Sequence, residues 1–235
     1  MHIIAHRGAS AYEPENTIAA FERAISMGAD WVELDIRLSA DGHLVVSHSD
    51  DLSDRTTGRG RISTSTLDQL RAFDAGNGQR LPTFPEVLDY IHPRCGLYVE
   101  LKAAGTPEAA LRDLRAAGVR DGVVLGSFDA ELVQQAGQAG FPTALLISET
   151  NVDLAAEAQS AGASLLHLCW ENAAPEPHTL LSPEMLTKLQ EQGLQVVLWH
   201  EERESELRHL VRMPVWGICT NMPDLLRRVL TQADS

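Results

Sequence analysis

Charged residues hold every second position from Glu33 to Arg37 in Asp30-Trp31-Val32-Glu33-Leu34-Asp35-Ile36-Arg37-Leu38, and the alternation returns at Glu100 and Lys102 in Leu97-Tyr98-Val99-Glu100-Leu101-Lys102. The two-residue period of a strand puts Glu33, Asp35 and Arg37 on one face and Val32, Leu34, Ile36 and Leu38 on the other. In the second segment it gathers Tyr98, Glu100 and Lys102. An antiparallel strand could wet such a face, but a parallel strand of a closed barrel is covered on both sides, so there the charges point at the barrel axis. Buried carboxylates need an answering charge. Three acids offer an all-oxygen donor set, which suits a hard cation such as Mg²⁺ or Ca²⁺ rather than zinc or copper. The alternative is an internal salt-bridge cluster of Glu33, Asp35, Glu100, Arg37 and Lys102.

Two histidines belong to the same region of the chain, in His6-Arg7-Gly8 at the end of the first strand and at His48, which ends the run from Gly42 to Ser47. Imidazole titrates near neutrality, so a pair of them beside an acidic cluster makes a general acid and a general base. Arg7 and Lys102 supply fixed positive charge of the kind a phosphate oxygen needs. Of nineteen basic residues only Lys102 and Lys188 are lysines, which singles out Lys102 as a departure from the chain's preference for arginine.

What must hold these side chains together is legible in the alternation of short Val, Ile and Leu runs with stretches of helical period. Eight strands are expected, beginning near Ile3, Trp31, Leu97, Val123, Thr143, Leu165, Gln195 and Trp216. Helical stretches follow most of them; Asn16 to Met27 carries Ile18, Phe21 and Ile25 on one face, with Asn16 as its N-cap. Gly28, Gly118, Gly140, Gly162 and Gly193 stand where helix C-caps are expected. Eight such units predict an α/β protein, a (β/α)₈ TIM barrel, with its active site at the C-terminal ends of the strands. The polar, turn-rich interval 49–80 predicts a small inserted cap between the second strand and the second helix. The whole chain, 1–235, is then one domain, with a frayed tail from Gln232 to Ser235.

At 44% hydrophobic and 22% charged, 235 residues can bury a core without disulfides or metals as staples. The longest apolar runs are strand-sized, so no transmembrane segment is expected, and the opening His2-Ile3-Ile4-Ala5-His6-Arg7 is not an export signal. Cys95, Cys169 and Cys219 show no C-x-x-C spacing, which argues against a disulfide framework or a zinc site and suits a reducing cytoplasm. Thirty-three acids against nineteen bases give a formal charge of −14, which disfavours nucleic acid and anionic membranes as partners. No G-x-S-x-G occurs to suggest a serine nucleophile.

The chain resembles the glycerophosphodiester phosphodiesterases, whose features it carries in order along essentially its whole length. They are His6-Arg7-Gly8, Pro14-Glu15-Asn16-Thr17, Glu33-Leu34-Asp35, Asp41-Gly42, His48, Arg55-Thr56-Thr57-Gly58-x-Gly60, Asp74-Ala75-Gly76, Leu81-Pro82-Thr83 and Glu100-Leu101-Lys102, then Ser127-Phe128, Trp199 and Thr220-Asn221-x-Pro223. The resemblance implies a barrel with a small cap that binds one divalent cation, Mg²⁺ or Ca²⁺, and hydrolyses a small-molecule glycerophosphodiester to glycerol 3-phosphate and an alcohol. On that resemblance Glu33, Asp35 and Glu100 hold the metal, and His6 and His48 are acid and base. Arg7 and Lys102 contact phosphate, and Trp199 lines the glycerol pocket. Glu15 is either near the site or a solvent-exposed loop acid.

The chain also departs from the family pattern. Ser49 follows His48 where Asp is usual, and His200-Glu201-Glu202 follows Trp199 where Thr-Val-Asn is common. Asn221 stands where an Asp is common and reads as a helix N-cap, while Trp170-Glu171-Asn172 reads as a tryptophan at the edge of the core, with lining of the pocket as the alternative. These departures touch the pocket wall, so they bear on substrate choice more than on the chemistry. Two rival functions follow, a lysophospholipase D-like activity on lipid head groups and a barrel that binds glycerophosphodiesters without turnover. Both histidines and all three acids favour an enzyme, because a binder needs no acid and base together.

Overall fold

The structure, a computed structural model, describes residues 1–233. Nine strands are present among them: β1 (His2–Ala5), β2 (Trp31–Leu38), β3 (Leu44–Val46), β4 (Gly96–Leu101), β5 (Val123–Ser127), β6 (Thr143–Ile147), β7 (Leu165–Leu168), β8 (Gln195–His200) and β9 (Gly217–Thr220). All but β3 are parallel, in the order β1-β9-β8-β7-β6-β5-β4-β2, and the pairing of β1 with β2 closes the ring. The fold is thus a (β/α)₈ barrel. Each strand start lies within a residue of its expected position.

The helices that return the chain are α1 (Ile18–Ser26), α3 (Phe84–Ile91), α4 (Thr106–Ala116), α5 (Ala130–Gly137), α6 (Leu154–Ala161), α7 (Pro183–Glu191), α8 (Glu204–Leu210) and α9 (Pro223–Ala233); α2 (Leu67–Leu70) is a single turn. The apolar face of β2, with Val32, Leu34 and Ile36, joins Leu97 and Val99 of β4 against Phe21, Phe84 and Val87 of the helices. A second apolar layer fills the barrel itself, where Ile4, Tyr98, Val124, Leu146, Leu165 and Val197 meet. At the N-terminal end of the strands the rings of His2, Trp31 and Trp216 pack together, with centroids 4.6 to 6.1 Å apart. Gly96 lies flat against Trp31, where any side chain would collide with the indole.

Two local expectations are corrected. Thr17, not Asn16, caps α1, its hydroxyl accepting from the Ala20 N–H; Asn16 sits outside the helix at φ +59°, its side chain turned into the barrel mouth. At the other end α9 runs to Ala233, so Gln232 is helical rather than frayed, and Asp234 and Ser235 fall outside the described residues.

Between β2 and α3 the chain leaves the barrel. A turn at Ser39–Gly42 sends β3 back antiparallel to β2, pairing Ile36 with Val46 and Leu38 with Leu44. Short 3₁₀ turns at Leu52–Asp54 and Ile62–Thr64 and the α2 turn follow, packed on their own apolar cluster of Val45, Leu52, Ile62, Leu70, Ala75 and Leu81. The excursion closes where Val46 N donates to Pro82 O.

Candidate active site

Strand alternation delivers the acids to the barrel axis. Asp35 lies opposite Glu100 in the β2–β4 register, and Glu33 is one turn of the pleat below. Ligand oxygens of Glu33, Asp35 and Glu100 lie within 4.8 Å of one another, and all three residues are buried. Two cations reach into the cluster from the rim. Lys102 Nζ is 2.6 Å from Glu100 Oε1 and 3.3 Å from Asp35 Oδ1, and Arg7 Nε is 3.2 Å from Asp35 Oδ2. Arg37, from the same face of β2, joins no ion pair among the described residues. Its guanidinium donates twice to the His48 carbonyl, at 2.7 and 2.8 Å, so the expected salt-bridge cluster loses that member.

Burial and crowding act against ionisation. Burial, then the Asp35 charge, pushes Glu33 well above the carboxylate range, and the same two causes push Glu100 up to about 7 against the pull of Lys102. Asp35 goes the other way. Burial alone would raise it, but Lys102, Arg7 and His48 together with the Asn16 amide hold it below its ordinary value. Asn16 grips Asp35 from both sides, Nδ2 donating to Oδ2 at 2.9 Å and Oδ1 accepting from the Asp35 N–H at 3.3 Å.

The turn after β1 brings the first histidine and arginine. Gly8 has φ +85° and packs so closely on α1 that an added Cβ would stand 2.6 Å from the Ala20 carbonyl carbon. This tight turn aims the Arg7 N–H at Glu33 Oε2, 2.8 Å away. His6 Nδ1 lies 2.7 Å from Asn221 Oδ1, and Ser10 Oγ donates within this group, 2.8 Å from the His6 carbonyl and 2.7 Å from Asn221 Oδ1. Asn221 is therefore an orienting partner of His6 rather than the helix N-cap expected of it. Burial lowers His6 well below the ordinary imidazole value, and the neighbouring His200 and Arg7 lower it further.

The second histidine arrives by the β2–β3 hairpin. Because β3 runs back down β2, the Ser47 N–H donates to the Asp35 carbonyl at 2.9 Å and His48 follows at the level of the acids. Burial lowers His48 as well, opposed by the Asp35 charge. Glu15, for which sequence left two positions open, belongs to the site: its Oε1 is 3.1 Å from Arg7 and 3.2 Å from Arg55.

These groups surround one cavity of about 180 Å³. His6, Arg7, Glu33, His48, Glu100, Lys102 and Trp199 all line it; Asp35 stands behind them, fully buried. Every residue singled out for the site is thus brought to one place. The cavity also holds His200, expected at the pocket wall, and Glu171, together with side chains that sequence reasoning did not gather: Phe128, Leu146, His167, Cys169 and Cys219. The alternation 167, 169, 171 could have flagged three of them. Of the three departures after Trp199, His200 alone reaches the pocket, its ring 4.6 Å from that of His6. Glu201 turns to Arg203, 2.6 Å away, and Glu202 accepts from the Asn221 N–H at 2.8 Å.

A closed parallel barrel with a buried carboxylate triad, two imidazoles and two fixed cations at its C-terminal mouth defines a barrel hydrolase of anionic esters. The sequence profile of the Glycerophosphoryl diester phosphodiesterase family matches residues 6–225. The chain belongs to that family and is a phosphoric diester hydrolase. It is similar to YhdW of Bacillus subtilis (strain 168), with 34% identity over 96% of each chain. It is also similar to the glycerophosphodiester phosphodiesterase of Caldanaerobacter subterraneus subsp. tengcongensis, with 30% identity over 95% of each. Among solved structures, the glycerophosphodiester phosphodiesterase of Agrobacterium tumefaciens str. C58 superposes with a TM-score of 0.83 at 26% identity, covering 97% of this chain and 99% of that one. A phosphodiesterase of Oleispira antarctica in complex with the product sn-glycerol-3-phosphate shares the fold, with a TM-score of 0.88 at 24% identity over 98% and 97% of the two chains.

Proposed function

We propose that the chain hydrolyses glycerophosphodiesters to sn-glycerol 3-phosphate and an alcohol, with His6 as general base, His48 as general acid and a divalent cation, Mg²⁺ or Ca²⁺, on Glu33, Asp35 and Glu100. The observation that carries this reading is the convergence of all three acids and both histidines on one cavity. The donor set fits such a cation, since its oxygens are hard, buried and crowded, and Asp35 Oδ1 is buried without a hydrogen bond among the described residues. When bound, the cation neutralises the diester anion and polarises its phosphorus–oxygen bonds as a Lewis acid.

The side chains divide the remaining work. With Asn221 Oδ1 accepting from Nδ1–H, His6 turns the lone pair of Nε2 to the cavity, and burial keeps the ring neutral near pH 7. That is the state a base needs to take the proton from the attacking oxygen. His48, whose burial lowers it against the opposing Asp35 and Glu15 charges, lines the same cavity as His6, and as the acid it gives its proton to the departing alkoxide. Arg7 and Lys102 hold the phosphate oxygens, and Trp199 walls the glycerol arm. A cavity of about 180 Å³ lies below the roughly 300–1,000 Å³ of pockets that enclose drug-sized ligands, which favours small head groups over an acyl chain and hence over lysophospholipase D activity. The small-molecule diester is the partner, and the free thiols of Cys95, Cys169 and Cys219 suit a reducing cytoplasm.

Purified protein assayed with one divalent cation at a time and a panel of glycerophosphodiesters should release sn-glycerol 3-phosphate. Binding of the diesters without release would leave a binding barrel as the correct reading.

A further inference from the structure

The pocket extends beyond the reacting centre past His167 of β7 to Cys169 and Glu171 in the loop that follows the strand. The other acids at the mouth each have a donor within reach: Asp35 has Arg7 and Lys102, Glu100 has Lys102, Glu15 has Arg7 and Arg55, and Glu33 has the Arg7 N–H. Glu171 is different. Its Oε2 is buried and has no hydrogen-bond partner among the described residues, and its Oε1 has only the His200 imidazole, 3.9 Å away. The nearby Arg203 does not relieve it, because that guanidinium is spent on the Glu201 carboxylate and on the Glu171 main-chain carbonyl. Deeper, on β7 itself, His167 is buried, and its Nδ1 likewise lacks a partner. Burial, then the proximity of His200, pushes His167 down to about 3, so the ring is neutral at working pH and offers one acceptor and one donor.

A buried acceptor left without a donor is costly, and a ligand that supplies the donor recovers that cost. Resting on the function proposed above, we infer that Glu171 is the specificity-determining residue for the arm of the diester that lies between β7 and Trp199. Its carboxylate accepts hydrogen bonds from the vicinal hydroxyls of glycerol, with His167 beneath as the second polar contact. A site that hydrogen-bonds a substrate hydroxyl rejects the analogue lacking it far more strongly than an apolar pocket rejects a missing methylene. In the sequence Glu171 stood only as an alternative pocket-wall residue within Trp170-Glu171-Asn172, because it lies in a loop beyond the last residue of β7.

The test compares glycerophosphoethanolamine with propyl phosphoethanolamine, in which both glycerol hydroxyls are replaced by hydrogen, in the wild type, Glu171→Leu and Glu171→Gln. The readout is the ratio of kcat/KM for the two diesters, in which any general loss of activity cancels. The wild type should favour glycerol by on the order of 10²-fold. Glu171→Leu should bring the ratio near one, and Glu171→Gln, which keeps a carbonyl acceptor, should restore part of it. A wild-type ratio near one, or an unchanged ratio in Glu171→Leu, overturns the assignment. Should Glu171→Leu fail to fold, inhibition of the wild type by sn-glycerol 3-phosphate against propyl phosphate decides, with at least a tenfold difference expected and equal inhibition excluding the role. Hydrolysis of neither diester with any divalent cation would instead remove the proposed function itself.

Discussion

His6 and Asn221 show how one substitution sets a proton's address. The amide oxygen fixes Nδ1–H without adding charge, and burial outweighs both this hydrogen bond and the Asp35 charge, which keeps the imidazole neutral. A carboxylate in its place would stabilise the imidazolium. Asn221→Asp should therefore raise the His6 pKa and move the acidic limb of the kcat/KM profile to higher pH, because a base must first lose its proton; a limb that stays in place would dissociate Asn221 from the titration. His6→Ala and His48→Ala should each lower kcat by at least about 10²-fold with unfolding midpoints close to wild type, and near-normal turnover in either would remove that histidine from the mechanism. Glu33, Asp35, Glu100 and the two histidines could be read from the chain because alternation and type announced them. Asn221 could not, since an asparagine shortly before a helix has an ordinary use as a cap, and only the tertiary contact shows that its oxygen is engaged elsewhere.

The connections, rather than the strands, decide whether the site assembles. Parallel strands were legible from apolar alternation, whereas the three-residue β3 was too short to announce itself, and His48 reaches the acids only because the hairpin folds back. Arg37 secures that return through the His48 carbonyl. Arg37→Met should keep the fold and lower kcat about tenfold, as expected when an acid or base loses its positioning. The turn after β1 is less forgiving. Gly8→Ala places a side chain at φ +85° and against the Ala20 backbone, so urea unfolding should show a loss of about 1–3 kcal/mol, accompanied by weaker turnover as the Arg7 N–H leaves Glu33. Wild-type stability and activity in that variant would mean that α1 yields without disturbing the mouth.

For the molecule as a whole, three buried and crowded carboxylates oppose folding wherever no counter-charge meets them. A cation at 100 times its Kd stabilises the folded state by about 2.7 kcal/mol, a Tm rise of roughly 5–11 °C for a chain of this length. Chelator should abolish both that rise and the activity, and turnover undiminished in metal-stripped protein would refute the metal site. Acid stability has a separate source. His167 is pushed down to about 3, so below the unfolded imidazole value near 6.5 the unfolded chain binds a proton that the folded chain refuses. Stability on that account falls as pH drops from about 6.5 toward 3, by up to about 1.4 kcal/mol per pH unit. His167→Gln should flatten the urea-derived stability between pH 6 and 4 by one proton's worth; an unaltered slope would mean that His167 is protonated in the native state.

The aromatic plug of His2, Trp31 and Trp216 seals the end of the barrel opposite the site. With apolar side chains filling the barrel above it, the described residues leave no way through the barrel floor, and incoming diester and outgoing products share the mouth at the C-terminal ends of the strands. Traffic then obeys exclusion. Whichever product is held more firmly bars the next substrate from entering, so inhibition by sn-glycerol 3-phosphate should be competitive, and under product accumulation the enzyme throttles its own flux with no regulatory site.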